Sequence, residues 1–377
     1  MSGLSELRFI DPGPEGSPLE VPATAPLDLA ERIRPLPVEI AGAGHLSDLD
    51  GWLAETYATS LVVIADGAVV HEWYAGQPGP PGQLERLGLS DPLGPETRFR
   101  GASMTKSALA HLVGRAVTDG RLRLADRVVE QVPELAGSGY AAATVGDVIT
   151  MTTGTDWIED HRDPNGPAAR LVDVFGAGGD SRALLAEVGA GSGPGTRWEY
   201  STADSQVLDW VRERATGERF ADALGDLWRD LGASSPALVS RDGQGVAMAG
   251  GGLAATSRDW ARIGLLALDG HTHHGRVLCA QWVAEAGLPP YLFTRPGRLP
   301  VSITSHAGFA RHWWPLDTDG TRIVADGSRG QFILADRATG VVVVKTSLWP
   351  YDDPWVDRGC RDLSYLGLQA IADVASS

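Results

Sequence analysis

The chain has 377 residues, 43% of them hydrophobic, and its 48 Asp and Glu against 32 Lys and Arg give a net charge of −16 and a pI near 4.9. Nucleic acids and anionic membranes both need clustered basic residues, so this balance speaks against them as partners and reads as a solubility feature. Two cysteines, Cys279 and Cys360, are too few for a disulfide scaffold or a cysteine-based metal site, and no apolar run reaches membrane-spanning length.

Residues 1 to 44 are rich in Pro, Gly and Ala with little periodicity, which predicts an N-terminal arm lying on the surface or partly disordered. Met1 to Glu20 is acidic and proline-rich without the apolar centre of a secretory signal, so a cytoplasmic protein is expected. Leu61 to Ile64, the turn dipeptide Asp66-Gly67 and Val69 to Tyr74 predict a β-hairpin. Apolar residues at 104, 108, 109, 112, 113, 116 and 117 then predict a helix over Met104 to Val117, stopped by Asp119-Gly120.

Ser103 stands at the N-terminus of that helix, and Lys106 comes three residues later, one turn on and on the same face. Lys106 is one of only two lysines in a chain with thirty arginines. An arginine keeps its proton at any accessible pH, whereas a desolvated lysine can become a neutral amine, so this lysine is a candidate base for the serine. Alone, a Ser-x-x-Lys spacing is common by chance and leaves a purely structural role open.

From about 104 to 265 the chain reads mainly as helices joined by glycine-rich loops such as Gly189 to Gly195. Tyr200 follows that loop and precedes a helical run from Val207, a loop-to-helix junction suited either to a proton relay or to packing beside Trp198. His271, His273 and His274 lie between Gly270 and Gly275, which suggests an exposed turn rather than a zinc site, and no metal or organic cofactor is expected. Strands return at Thr321 to Ala325, Phe332 to Ala335 and Val341 to Lys345, with Asp326 to Gln331 as a glycine-bearing turn, and Tyr365 to Val374 predicts a closing helix. The expected class is α+β, an antiparallel sheet built from both chain ends and flanked by helices, with a mainly helical region, roughly 115–250, inserted.

Taken in order, several segments resemble a known family. They are Ser103-Met104-Thr105-Lys106, Leu122 to Val128, Thr144 to Gly154, Tyr200-Ser201-Thr202, Gly251 to Asp259, Gly327 to Gln331 and Val343 to Pro350. The chain is similar to serine hydrolases of the class C β-lactamase and penicillin-binding-protein superfamily, above all to the 6-aminohexanoate-dimer (nylon oligomer) hydrolases and their carboxylesterase relatives. The likeness covers roughly residues 45 to 375 and implies a β-lactamase-like domain over 45–377. It implies Ser103 as acylated nucleophile, Lys106 as its base, Tyr200 as proton shuttle, and the backbone N–H groups of Ser103 and Ser328 as oxyanion hole. It also makes His161 and Asp173 candidate substrate-binding residues, His161 being equally readable as a polar loop residue. Independently of the likeness, Gly327 permits close backbone approach of a substrate, and Trp313-Trp314 and Trp349 read either as pocket walls or as core packing.

Two departures bear on the substrate. Ala325-Asp326-Gly327 stands where β-lactamases carry Lys-Thr-Gly, so the cation for a β-lactam carboxylate is missing, and Lys345 lies on the later valine strand instead. Thr202 replaces the asparagine of the β-lactamase tyrosine motif. The resemblance therefore implies hydrolysis of small esters and linear amides, with a D-amino-acid peptidase, a weak β-lactamase or a penicillin-fold binding module as alternatives. The implied partner is a small-molecule substrate, and a homodimer stays open.

Overall fold

The computed structural model describes residues 8–12, 18–42, 44–295, 308–351 and 359–377. Its main sheet takes strands from both ends of the chain: β1 (Ala30–Glu31), β2 (Ala58–Ala65), β3 (Ala68–Tyr74), β4 (Trp314–Pro315), β5 (Arg322–Gly327), β6 (Gln331–Asp336) and β7 (Val341–Ser347). The spatial order is β4-β5-β6-β7-β2-β3-β1, antiparallel throughout except for the parallel pairing of β1 with β3. The β2–β3 hairpin turns at Asp66 and Gly67, both with positive φ, as the Asp-Gly dipeptide predicts.

The valine run of β7 is buried along its whole length because both faces of the sheet are covered. On one face Val62, Ile64, Ile333, Val342 and Val344 pack against Met104, Trp260 and Ile263 of the helical region. On the other, Leu61, Val63, Phe332, Leu334 and Val343 meet Trp52, Leu368 and Ile371. The closing helix runs from Gly359 to Ala375, longer than its apolar spacing alone predicts. The α+β architecture is the one expected from the sequence.

A second, smaller sheet orders Leu19–Val21, Ala237–Val239, Leu253–Thr256 and Arg98–Arg100. Part of the stretch read as a surface arm is thus woven into both sheets, as Leu19–Val21 and as β1. Val21, Val38 and Ile40 are buried apolar anchors that the Pro- and Gly-rich surroundings obscured. Residues 1–7, 13–17 and 43 of that stretch lie outside the described residues. Among the described residues no helix is long and apolar enough to cross a membrane.

Candidate active site

Strand Arg98–Arg100 ends at Gly101, whose N–H donates to the Leu253 carbonyl at 2.9 Å. The chain then turns sharply through Ala102, at φ +45°, into a short 3₁₀ turn, Ala102–Met104, and helix α1 (Thr105–Thr118). A left-handed alanine costs roughly 1 kcal/mol or more, and packing against the small sheet holds it there. Ser103 therefore sits half-buried at the head of α1.

Lys106, one turn into α1, is 2% exposed, and its Nζ lies 3.0 Å from Ser103 Oγ, 2.6 Å from the Gly250 carbonyl oxygen and 3.1 Å from Thr202 Oγ1. The Gly250 peptide is itself fixed by a 2.8 Å bond from its N–H to Gln206 Oε1. Lys106 Nζ also stands 5.1 Å from the centre of the Tyr200 ring. That ring stacks on Trp314, 6.0 Å away at 20°, and meets Phe309 edge-on. Trp314 is thus a buried wall behind Tyr200.

The tyrosine motif divides its work by position. The glycine-rich loop runs along residues 151–155, with Gly195 N–H donating to Thr152 O and Glu199 N–H to Met151 O, and so delivers Tyr200. Ser201 caps helix α2 (Thr202–Thr216), accepting from Asp204 N–H at 3.0 Å. Asp204 is buried, with Tyr140, Ser201 and Thr153 hydroxyls on its carboxylate. Burial pushes its pKa up to about 7 against those three hydrogen bonds.

Glu159 was not singled out from the sequence. Its carboxylate accepts from Thr202 N–H at 2.9 Å, from Trp157 Nε1 at 2.6 Å and from the Thr202 hydroxyl, and it lies 3.1 Å from His161 Nε2. Burial opposes its ionisation, but His161, Lys106 and the Thr202 N–H outweigh burial and hold its pKa down at about 2. His161 is half-buried beside it, joined to the site through Glu159.

Gly327, the last residue of β5, lies against the turn that carries Ser103. A Cβ there would come 2.1 Å from the Gly101 carbonyl oxygen and 3.1 Å from Met104 N, so only glycine allows the approach. Ser328 opens the following turn, which Arg329 at φ +62° and Gly330 at φ +89° complete. Gly330 rests on the indole of Trp349, and Gln331 Nε2 donates to the carbonyls of Arg329 and Ser347. Trp349 is buried and braces this turn from behind.

Asp326 accepts a 2.7 Å hydrogen bond from Tyr365 Oη of the closing helix, on the opposite face of β5 from Ala325. Asp173 is exposed on the helix Pro167–Ala177, outside the hydrogen-bonded set around Ser103. His273 and His274 lie exposed in the tip of a small hairpin, and no cluster among the described residues could hold a metal ion. His312, also missed from the sequence, is buried under the site. Its carbonyl accepts from Ser107 Oγ, its Nε2 lies 3.1 Å from Ser205 Oγ, and burial, with Lys106 nearby, lowers its pKa to about 3.

The second lysine, Lys345, is completely buried in β7. Its Nζ donates to Thr56 O and Ser364 Oγ at 3.3 Å and to Ser347 Oγ, with the rings of Trp52, Phe332 and Trp349 5.4 to 6.0 Å away. Burial lowers its pKa to about 7, and no carboxylate among the described residues pairs with it.

The β-lactamase family pattern matches residues 52–358. Over 349 residues the chain is 32% identical to the 6-aminohexanoate-dimer hydrolase of Paenarthrobacter ureafaciens, spanning 90% of this chain and 84% of that one. It is 33% identical over 157 residues to esterase EstB of Burkholderia gladioli, 36% of this chain and 38% of that one. Among solved structures, a Bacillus anthracis protein provisionally described as a 6-aminohexanoate-dimer hydrolase superposes with a TM-score of 0.75 at 18% identity, covering 93% of this chain and 89% of that one. A family VIII carboxylesterase superposes at 0.58 and 17%, covering 82% and 92%. These two superpositions are likenesses of fold. With a serine and a buried lysine in contact at the head of α1 and the family pattern running across most of its length, the chain belongs to the β-lactamase family of serine hydrolases.

Proposed function

We propose that this hydrolase cleaves small linear amides and carboxylic esters through an acyl-enzyme on Ser103, with a linear amide of the 6-aminohexanoate type as the first substrate to test. The observation that carries the reading is the environment of Lys106. Its amine is buried 3.0 Å from Ser103 Oγ, and the oxygens it meets on Ser103, Thr202 and Gly250 are all neutral. A buried amine within hydrogen-bond reach of a serine hydroxyl is placed to take its proton.

In this scheme the Ser103 proton moves to Lys106 Nζ as Oγ adds to the substrate carbonyl carbon. The displaced electron pair gathers on the carbonyl oxygen, facing the N–H groups of Ser103 and Ser328, the first at a helix N-terminus. Tyr200 then passes a proton to the departing nitrogen or oxygen, the C–N or C–O bond breaks, and water hydrolyses the ester on Ser103. No metal or organic cofactor is needed. The names of the curated relatives, an amide hydrolase and an esterase, support both substrate classes. A cytoplasmic setting is part of the proposal, with which two cysteines outside any disulfide among the described residues agree.

A panel of p-nitrophenyl esters and aminohexanoate oligomers, with liberated amine measured and Ser103 labelled by a fluorophosphonate, tests the proposal. Failure of the probe to label Ser103 would favour a binding module. β-Lactam hydrolysis should be marginal, because Ala325 supplies no cation at the position where β-lactamases carry the lysine that meets the β-lactam carboxylate. Turnover of nitrocefin comparable with that of a short ester would contradict this and favour the β-lactamase or peptidase alternative.

Tyr200→Phe separates the two leaving groups. An amine departs poorly unless protonated, whereas p-nitrophenolate leaves unaided, so loss of the phenol should lower kcat/KM on an aminohexanoate amide more than on p-nitrophenyl acetate. Equal losses would confine Tyr200 to activating the serine, and an unchanged amide rate would remove it from the mechanism.

A further inference from the structure

The oxygens of Ser103, Thr202 and Gly250 around Lys106 Nζ differ in hydrogen-bonding capacity. The Gly250 carbonyl can only accept. Thr202 Oγ1 could donate or accept, but its one hydrogen is directed to Glu159 Oε1. Toward the lysine it can therefore only accept. A neutral amine has two N–H bonds and one lone pair. With both N–H bonds given to Gly250 and Thr202, the lone pair of the neutral amine is left to accept a hydroxyl proton, and Ser103 Oγ lies 3.0 Å away.

We propose that Glu159 is a positioning residue which, by holding the Thr202 hydroxyl hydrogen, fixes the Lys106 amine with its lone pair aimed at Ser103. This rests on the reading of Lys106 as base. Glu159 suits the task because four donors satisfy it: Trp157, His161 and both the N–H and the hydroxyl of Thr202. It stays ionised across the working pH range, so the Thr202 hydroxyl has a constant acceptor. The negative charge also favours the ammonium form of Lys106. The titratable groups around that amine are Glu159, Tyr200 and the buried, neutral His312, with His161 and Asp204 one layer behind.

The test is the pH profile of kcat/KM on a short p-nitrophenyl ester for Glu159→Gln, Thr202→Val and the double variant, with circular dichroism to check folding. Glu159→Gln should lose at least ~10-fold on the plateau, as expected when a group orienting a base is removed, and its acid limb should move to lower pH as the ammonium loses its neighbouring charge. Thr202→Val keeps that charge but cuts the link, so it should lose rate, and Thr202→Ser should recover most of that loss. The double variant should be no slower than Thr202→Val alone, because the two residues act through one bond.

A wild-type rate and acid limb in Glu159→Gln, or independent losses that multiply in the double variant, would overturn the inference. If Glu159→Gln fails to fold, the Val and Ser variants at 202 decide it: equal rates for both, whether high or low, would overturn it. Retained activity in Lys106→Arg would instead remove the base assignment itself, so the two failures are distinguishable.

Discussion

Lys106→Arg should lower kcat by at least ~10²-fold while leaving the fold intact, the loss expected when a positioned base is deleted. The substitution keeps a positive charge on a stem of similar length, but a guanidinium does not give up its proton in water and cannot accept one from Ser103. It is also planar and forked, so it cannot direct one lone pair at Ser103 while giving its other two directions to Gly250 and Thr202. Initial rates on a p-nitrophenyl ester, beside fluorophosphonate labelling of Ser103, check this. Turnover near the wild-type value would mean that Lys106 acts as a charge alone.

Lys345→Met should remove a pH dependence of stability that the wild-type protein carries. In the fold Lys345 loses its proton at about 7, whereas in the unfolded chain it holds it to about 10.5. Between those values the unfolded state binds more protons, so stability rises with pH, by roughly 5 kcal/mol over the full span. Below about pH 7 both states are protonated and the residue contributes no slope. Urea unfolding of both proteins from pH 7 to 9.5 should therefore show the difference moving by about 3 kcal/mol in favour of the wild type. Methionine fits the cage of Trp52, Phe332 and Trp349 but leaves the Ser347 and Ser364 hydroxyls to find new partners. That offset is constant with pH. Parallel curves for the two proteins would mean that Lys345 titrates in the fold as it does in water.

What could be read from the sequence follows from how local each signal is. Ser103 and Lys106 stand out because the helical spacing and the scarcity of lysine both lie within one short segment. The valine run of β7 and the Asp-Gly hairpin are similarly local. The small sheet was not legible, since Ala237–Val239 and Leu253–Thr256 are runs of only three and four residues and Arg98–Arg100 carries two arginines. β1 is two residues long and exists only by pairing with Ala68 and Val69. Glu159 was hidden for a different reason: Glu159-Asp160-His161-Arg162-Asp163 has the composition of a solvated loop. Only the tertiary fold carries its first residue to Thr202, far along the chain.

The pairing of β7 with β2 sets the timetable on which this protein can form during synthesis. The β2–β3 hairpin leaves the ribosome with one edge of its longest strand open, and the strand that covers that edge is made only after the entire helical region. At elongation rates of roughly 5–20 residues per second the wait is on the order of ten seconds to a minute. Through that interval the apolar residues of β2, buried in the finished protein, have no native neighbour on one side. Such an unpaired edge invites pairing with another chain. Ser103, the proposed nucleophile, waits as well, because Gly327 and the turn after it, which complete its surroundings, arrive in the same later segment. A nascent fragment ending before β5 would thus carry Ser103, Lys106 and Tyr200 without the strand edge that completes the proposed site.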